Sequence, residues 1–104
     1  MKFINLTPHD VTVVGVSGNR TFAKSGTIAR VSQISSLVEV VDGIDIKTVR
    51  YGEVVNLPSE VDGVRYIVST MVKNAVNGRI DLVSPGEMVR DANGVVIGCK
   101  DFYL

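Results

Sequence analysis

The chain has 104 residues, 45% of them hydrophobic and 21% charged, which is the size and composition of one globular domain able to build a core without cross-links. Eleven Lys and Arg balance eleven Asp and Glu, so no net field draws the protein to nucleic acid or to an anionic membrane. The basic residues are scattered singly, neither specific nucleic-acid binding nor membrane attachment is expected, and residues 1–104 read as a single domain.

Valine, with Ile, Thr and Tyr, recurs in short segments separated by glycine-containing turns, the pattern of a β-rich chain. Phe3 to Leu6 reads as a first strand, ended by Thr7-Pro8 because proline cannot donate to a ladder. Val11 to Val16 and Arg20 to Ala23 read as a hairpin about Ser17-Gly18-Asn19. In Thr27 to Val41 the apolar positions 28, 31, 34 and 37 are three apart, fitting neither a clean strand nor a clean helix. We expect two short strands with a bend at Ser35-Ser36. Asp42-Gly43 then turns the chain into an antiparallel return over Ile44 to Tyr51, followed by an extended piece from Glu53 to Leu57.

After Asp62-Gly63, the strand Val64 to Val68 leads into the one helix, Ser69 to Asn77. Ser69 is a good N-cap, Met71, Val72, Ala75 and Val76 share a face, and Gly78 is a natural stop. Nine residues make a marginal helix, so this face must pack on a sheet. Strands are again expected at Arg79 to Val83, Met88 to Asp91 and Val95 to Phe102, with Asn93-Gly94 as the strongest hairpin signal. The fold class is α+β, mostly β: a compact antiparallel sheet or a small, partly open barrel with one short helix.

Residues with chemical potential are few. His9 is the only histidine, which removes multi-histidine metal sites and histidine relays. With Thr7, Pro8 and Asp10 it forms either a turn cluster or a ligand donor oriented by Asp10. No Gly-x-Ser-x-Gly elbow accompanies it. Arg79 and Asp81, expected to alternate on one strand, pair with each other or with Arg90 and Asp91 across a hairpin; alternatively Arg79 and Arg90 present forks to a phosphate or carboxylate. Ser69 and Thr70 at the β-to-α junction read as a cap or as part of an anion site. Tyr51 and Tyr66 suit half-buried core positions or a stacking surface.

Cys99 is the only cysteine, so there is no internal disulfide and no multi-cysteine zinc site. In Val-Val-Ile-Gly-Cys it reads as a small buried hydrophobe rather than a reactive thiol. The N-terminus lacks the apolar length of a signal peptide and no run is long enough to span a membrane, giving an expectation of a cytoplasmic protein.

The ordered set Asn5-Leu6-Thr7-Pro8-His9, Tyr51-Gly52-Glu53, Leu57-Pro58, Tyr66-Ile67-Val68-Ser69, Arg79-Ile80-Asp81-Leu82, Pro85-Gly86 and Val89-Arg90-Asp91 resembles a family of small proteins from bacteriophages, prophages and bacteria. That family opens with the same Asn-Leu-Thr-Pro-His and closes with a similar Pro-Gly…Arg-Asp…Gly hairpin. The resemblance spans nearly the whole chain and implies a setting, not an activity: a phage or mobile element, and hence the host cytoplasm. It groups Asn5, Thr7, His9, Ser69, Arg79, Asp81 and Arg90 as candidate ligand-binding residues.

The leading expectation is a non-catalytic accessory protein that sequesters a small anionic ligand, such as a nucleotide signal in an anti-defence role, or that engages a host protein. No cofactor, metal or catalytic residue is assigned, and a homo-oligomer is one way of completing a pocket. The alternatives are a small hydrolase or transferase with His9 as base and Arg79 or Arg90 steadying an oxyanion, and an assembly module that offers a strand edge to a partner.

Overall fold

The structure, a computed structural model, describes all of residues 1–104. Strand β1, Lys2–Asn5, stops short of Thr7-Pro8. β2, Val11–Gly15, and β3, Gly18–Phe22, form a hairpin in which Gly15 is opposite Gly18. The turn therefore falls on Val16-Ser17, and Gly18, at φ 127°, opens the returning strand. β4, Arg30–Val41, and β5, Ile44–Val55, are two long strands joined by Asp42-Gly43. Both turn residues have left-handed φ, 51° and 75°, the geometry of a type I′ turn that matches the twist of the flanking strands.

β6, Val64–Ile67, leads into helix α1, Thr70–Ala75, capped by Ser69. α1 is shorter than the Ser69 to Asn77 span expected, and Val76 at its end is already extended. β7, Leu82–Pro85, follows, then β8, Met88–Arg90, β9, Val96–Cys99, and β10, Phe102–Tyr103.

Three separate sheets result: β1-β6-β7-β10, β3-β2-β9-β8, and the β4-β5 ribbon alone. The chain is mostly β with one short helix, as expected, but no sheet closes into a barrel. In the first sheet β1, β6 and β7 are mutually parallel, whereas the turn signals predict antiparallel neighbours throughout. β1 pairs with β6 across some sixty residues of sequence, with Lys2 beside Val64 and Asn5 beside Ile67, and α1 supplies the crossover between parallel β6 and β7. β10 closes this sheet antiparallel to β7.

The main core lies under α1. Leu6, Ala29, Val64, Tyr66, Val68, Val72 and Leu82 are buried together, and Val31 and Val54 from the start of the ribbon pack against them. Val72 is the buried residue of α1; Met71, expected on the same face, is partly exposed. A second contact joins the two four-stranded sheets. Phe3 of β1, Phe22 of β3 and Phe102 of β10 form a triangle with ring centroids 5.1–5.7 Å apart, in tilted and edge-on arrangements that suit the ring quadrupoles.

The β4-β5 ribbon projects from this body as an arm. Twelve residues per strand at ~3.3 Å each give a length of about 40 Å. The radius of gyration, 16.6 Å, correspondingly exceeds the roughly 13 Å of a compact chain of this size. β4 is one continuous strand rather than two short ones bent at Ser35-Ser36. Its irregularities are bulges between Val31 and Gln33 and between Leu37 and Glu39. The three-residue apolar spacing has a simple meaning in this setting: an odd step along a strand changes face, so Ile34 and Leu37 lie on opposite sides of the ribbon.

Candidate functional site

Polar residues of the Asn5–Asp10 loop are held by one buried amide. Asn5 Nδ2 donates to the His9 carbonyl at 2.8 Å and to the Phe22 carbonyl at 2.9 Å, while its Oδ1 accepts from Thr7 N and Thr7 Oγ1 at 2.9 and 2.7 Å. Thr7 Oγ1 also lies 2.9 Å from the His9 carbonyl. Asn5 and Thr7 thus spend their hydrogen-bonding capacity on shaping the loop. Asp10 accepts from Lys24 N at 2.9 Å, which ties its carboxylate to the chain after β3 rather than to the imidazole.

The loop divides two cavities. One, of about 450 Å³, is lined by His9, Thr12, Pro85, Met88 and Cys99 among others. The Cys99 thiol is buried there and sits 3.6 Å from the Thr12 carbonyl. Burial pushes it above the ordinary thiol range, which keeps it protonated and unreactive and agrees with its reading as a small core residue. The adjacent Gly98 has no room for a side chain, since a Cβ would lie 2.6 Å from the Thr12 carbonyl.

The other cavity is a groove of about 510 Å³ between the loop, the start of α1 and the base of the arm. Pro8, Ser69, Met71, Arg30, Ser32 and Glu53 line it with further apolar side chains. Ser69 has extended backbone and its Oγ accepts from Val72 N at 3.2 Å, which caps the helix and leaves its own O–H free to donate. Arg30 forms no ion pair within the chain.

Arg79 and Asp81 lie elsewhere, in the turn that precedes β7 rather than on a strand. Arg79 Nε and Nη2 grip the two oxygens of Asp81 at 3.0 and 2.6 Å, with Glu60 3.8 Å away. The hydrogen bond from Arg79 holds the Asp81 carboxyl below its usual range against the opposing effect of burial, and the same bond raises the guanidinium. Arg90 Nη1 donates to the Gly94 carbonyl at 2.9 Å, and Asp91 accepts from Asn93 N and Val95 N, so both stabilise their own hairpin turn.

Of the seven candidate residues, Asn5, Thr7, His9 and Ser69 gather at the carboxyl ends of β1 and β6. Arg79 and Asp81 sit at the amino end of β7, and Arg90 belongs to the other sheet. Sequence reasoning did not single out Arg30, Ser32, Glu53 or Met71. No local signal marks them, because they meet only where the base of the arm passes the start of α1. No three His, Cys, Asp or Glu side chains cluster as a metal site would require, and no helix is long and apolar enough to cross a membrane. No family model, curated protein or solved structure matches the chain.

Proposed function

We propose that the chain is a non-catalytic binding protein, an accessory protein of the phage type that its opening motif resembles, and that it holds a small anionic ligand such as a nucleotide signal in the groove beside Ser69. The groove's position and lining carry this reading. It opens at the carboxyl ends of parallel strands, where α/β sheets place their ligands. Its volume and its apolar walls with a few convergent polar groups are those of a small-molecule site. Arg30 supplies a positive charge, with the Glu53 carboxylate in the same lining, and the hydroxyls of Ser69 and Ser32 supply donors. The catalytic alternative has less support, because His9 lines the other cavity and Arg79 is gripped by Asp81 at the far end of the sheet.

Isothermal titration with cyclic dinucleotides and ADP-ribose derivatives tests the proposal. Heat is expected with at least one of them, and Arg30→Ala should weaken that binding about tenfold or more, the value of a hydrogen bond to a charged group. His9→Ala should leave it unchanged. No heat with any ligand, or binding indifferent to Arg30, defeats the proposal. An assembly role rests on a different observation, the arm.

A further inference from the structure

Two Asn-Gly pairs occur in the chain, Asn77-Gly78 and Asn93-Gly94. Such a pair carries both partners of a reaction. Glycine has no Cβ to shield its nitrogen, so that nitrogen attacks the neighbouring asparagine amide when it is free to turn toward it. Both pairs are exposed, and both glycines have left-handed φ, 81° and 80°. Exposure and local sequence therefore do not separate them. Their hydrogen bonds do.

Gly94 N donates to the Asp91 carbonyl at 3.0 Å, and Asp91 Oδ1 accepts from Asn93 N and Val95 N at 2.8 and 3.0 Å. Arg90 Nη1 holds the Gly94 carbonyl at 2.9 Å. The peptide groups on both sides of Gly94 are thus pinned in the β8-β9 turn, and the nucleophile is occupied. Gly78 is in the opposite state. A glycine at such a place can close a helix by returning its N–H to the last carbonyls, but α1 ends at Ala75 and Val76 is already extended. Gly78 N enters no backbone hydrogen bond, and the Asn77 side chain has no partner within the chain. The ends of this connection are fixed. Val76 N donates to the Lys73 carbonyl, the Asp81 carbonyl accepts from Tyr66 N, and Arg79 grips the Asp81 carboxylate. Between them Asn77, Gly78 and Ile80 are exposed, so the freedom to rearrange lies at the reactive pair.

We propose that Asn77 is a site of spontaneous deamidation in the folded protein, and that the fold protects Asn93 from the same reaction. The Gly78 nitrogen gives up its proton to hydroxide and bonds to Asn77 Cγ. The Cγ–Nδ2 bond breaks, and the side-chain nitrogen takes a proton from water and leaves as ammonia. Water then opens the cyclic imide at either carbonyl, leaving aspartate or, where the main chain now runs through the former side chain, isoaspartate. The net change is water in and ammonia out, with no oxidant or cofactor. Either product sets a new carboxylate beyond the carboxyl end of α1, where the helix carbonyls disfavour negative charge. Isoaspartate also lengthens the α1-to-β7 crossover by one main-chain atom.

Ageing the purified full chain at mildly alkaline pH, with peptide mapping by mass spectrometry at intervals, tests this. Conversion of amide to acid at Asn77 should run about fivefold or more ahead of that at Asn93, because the Gly94 amide must first break a hydrogen bond. In concentrated guanidinium, where both pairs lose their folded surroundings, the two rates should converge. Asp91→Ala, which frees Asn93 N and Val95 N, should speed conversion at Asn93 and leave that at Asn77 as it was. Asn77→Gln, whose longer side chain cannot close the same ring, should abolish conversion at that position alone. No conversion at Asn77, or a rate at Asn93 that equals or exceeds it in the folded chain, overturns the proposal. A preference for Asn77 that persists undiminished in guanidinium also overturns it, since local sequence and not the fold would then set the rates.

Discussion

Asn5 is the residue on which the β1 loop depends. Both of its amide hydrogens and its oxygen are engaged with groups from residues 7, 9 and 22, at a position that is 2% exposed. Asn5→Ala strands those partners, and a loss of about 2–3 kcal/mol in chemical denaturation is expected. Asn5→Asp, which preserves shape, should fare no better, because a carboxylate cannot donate to the His9 and Phe22 carbonyls. An aspartate variant as stable as wild type would show that shape, not donation, holds the loop. At the opposite end of the sheet, Asp81 has its carboxyl held below the usual aspartate range. A group depressed on folding adds stability that is present above its unfolded value, near pH 4, and is lost as pH falls through the folded one. The stability difference between wild type and Asp81→Asn should therefore be constant above about pH 4 and shrink on further acidification. Urea titrations at successive pH values measure it, and a difference that grows toward acid would contradict the pairing.

At the scale of elements, the legible features are those whose cause is local. Asp42-Gly43 needs positive φ at two successive residues and has the two residue types that tolerate it. Ser69 caps the helix by reaching three residues along its own chain. Cys99 sits buried in an apolar strand, as its neighbours imply. What the chain concealed depends on partners distant in sequence. No turn signal announces that β1 pairs parallel with β6, because the connection is the whole intervening chain. Arg79-Ile80-Asp81 reads as strand alternation, yet the two charges close on each other in a turn and the strand begins at Leu82. The same holds for the groove. Of its polar residues only Ser69 stands out in the sequence, as a cap at an element end, whereas Arg30, Ser32 and Glu53 reach it only because the arm leaves the body there. The arm itself was obscured because its apolar residues occupy both faces, and a pattern of period two was the signal sought.

For the whole molecule, two joints decide whether body and arm act as one object. Val31 and Val54 anchor the arm in the core beneath α1. The triangle of Phe3, Phe22 and Phe102 fastens the two four-stranded sheets, with Arg20 stacked 4.6 Å from the centre of the Phe22 ring. Phe22→Ala removes the only ring contributed by the second sheet. We expect a loss of about 2–3 kcal/mol in thermal or chemical unfolding, and a loss below about 0.5 kcal/mol, the range of an ordinary surface change, would mean that the sheets are held by other contacts. The pairing of Arg30 with Val55 has a consequence for arm length. Both ends of the arm leave the body side by side, so the body's own path from β3 to β6 is indifferent to how far the excursion between them runs. Removing two opposed pairs keeps every remaining side chain on its face and draws the tip in by about 7 Å. The ribbon is thus a spacer, and the reach of its tip from the body is written in the number of residues between Arg30 and Val55.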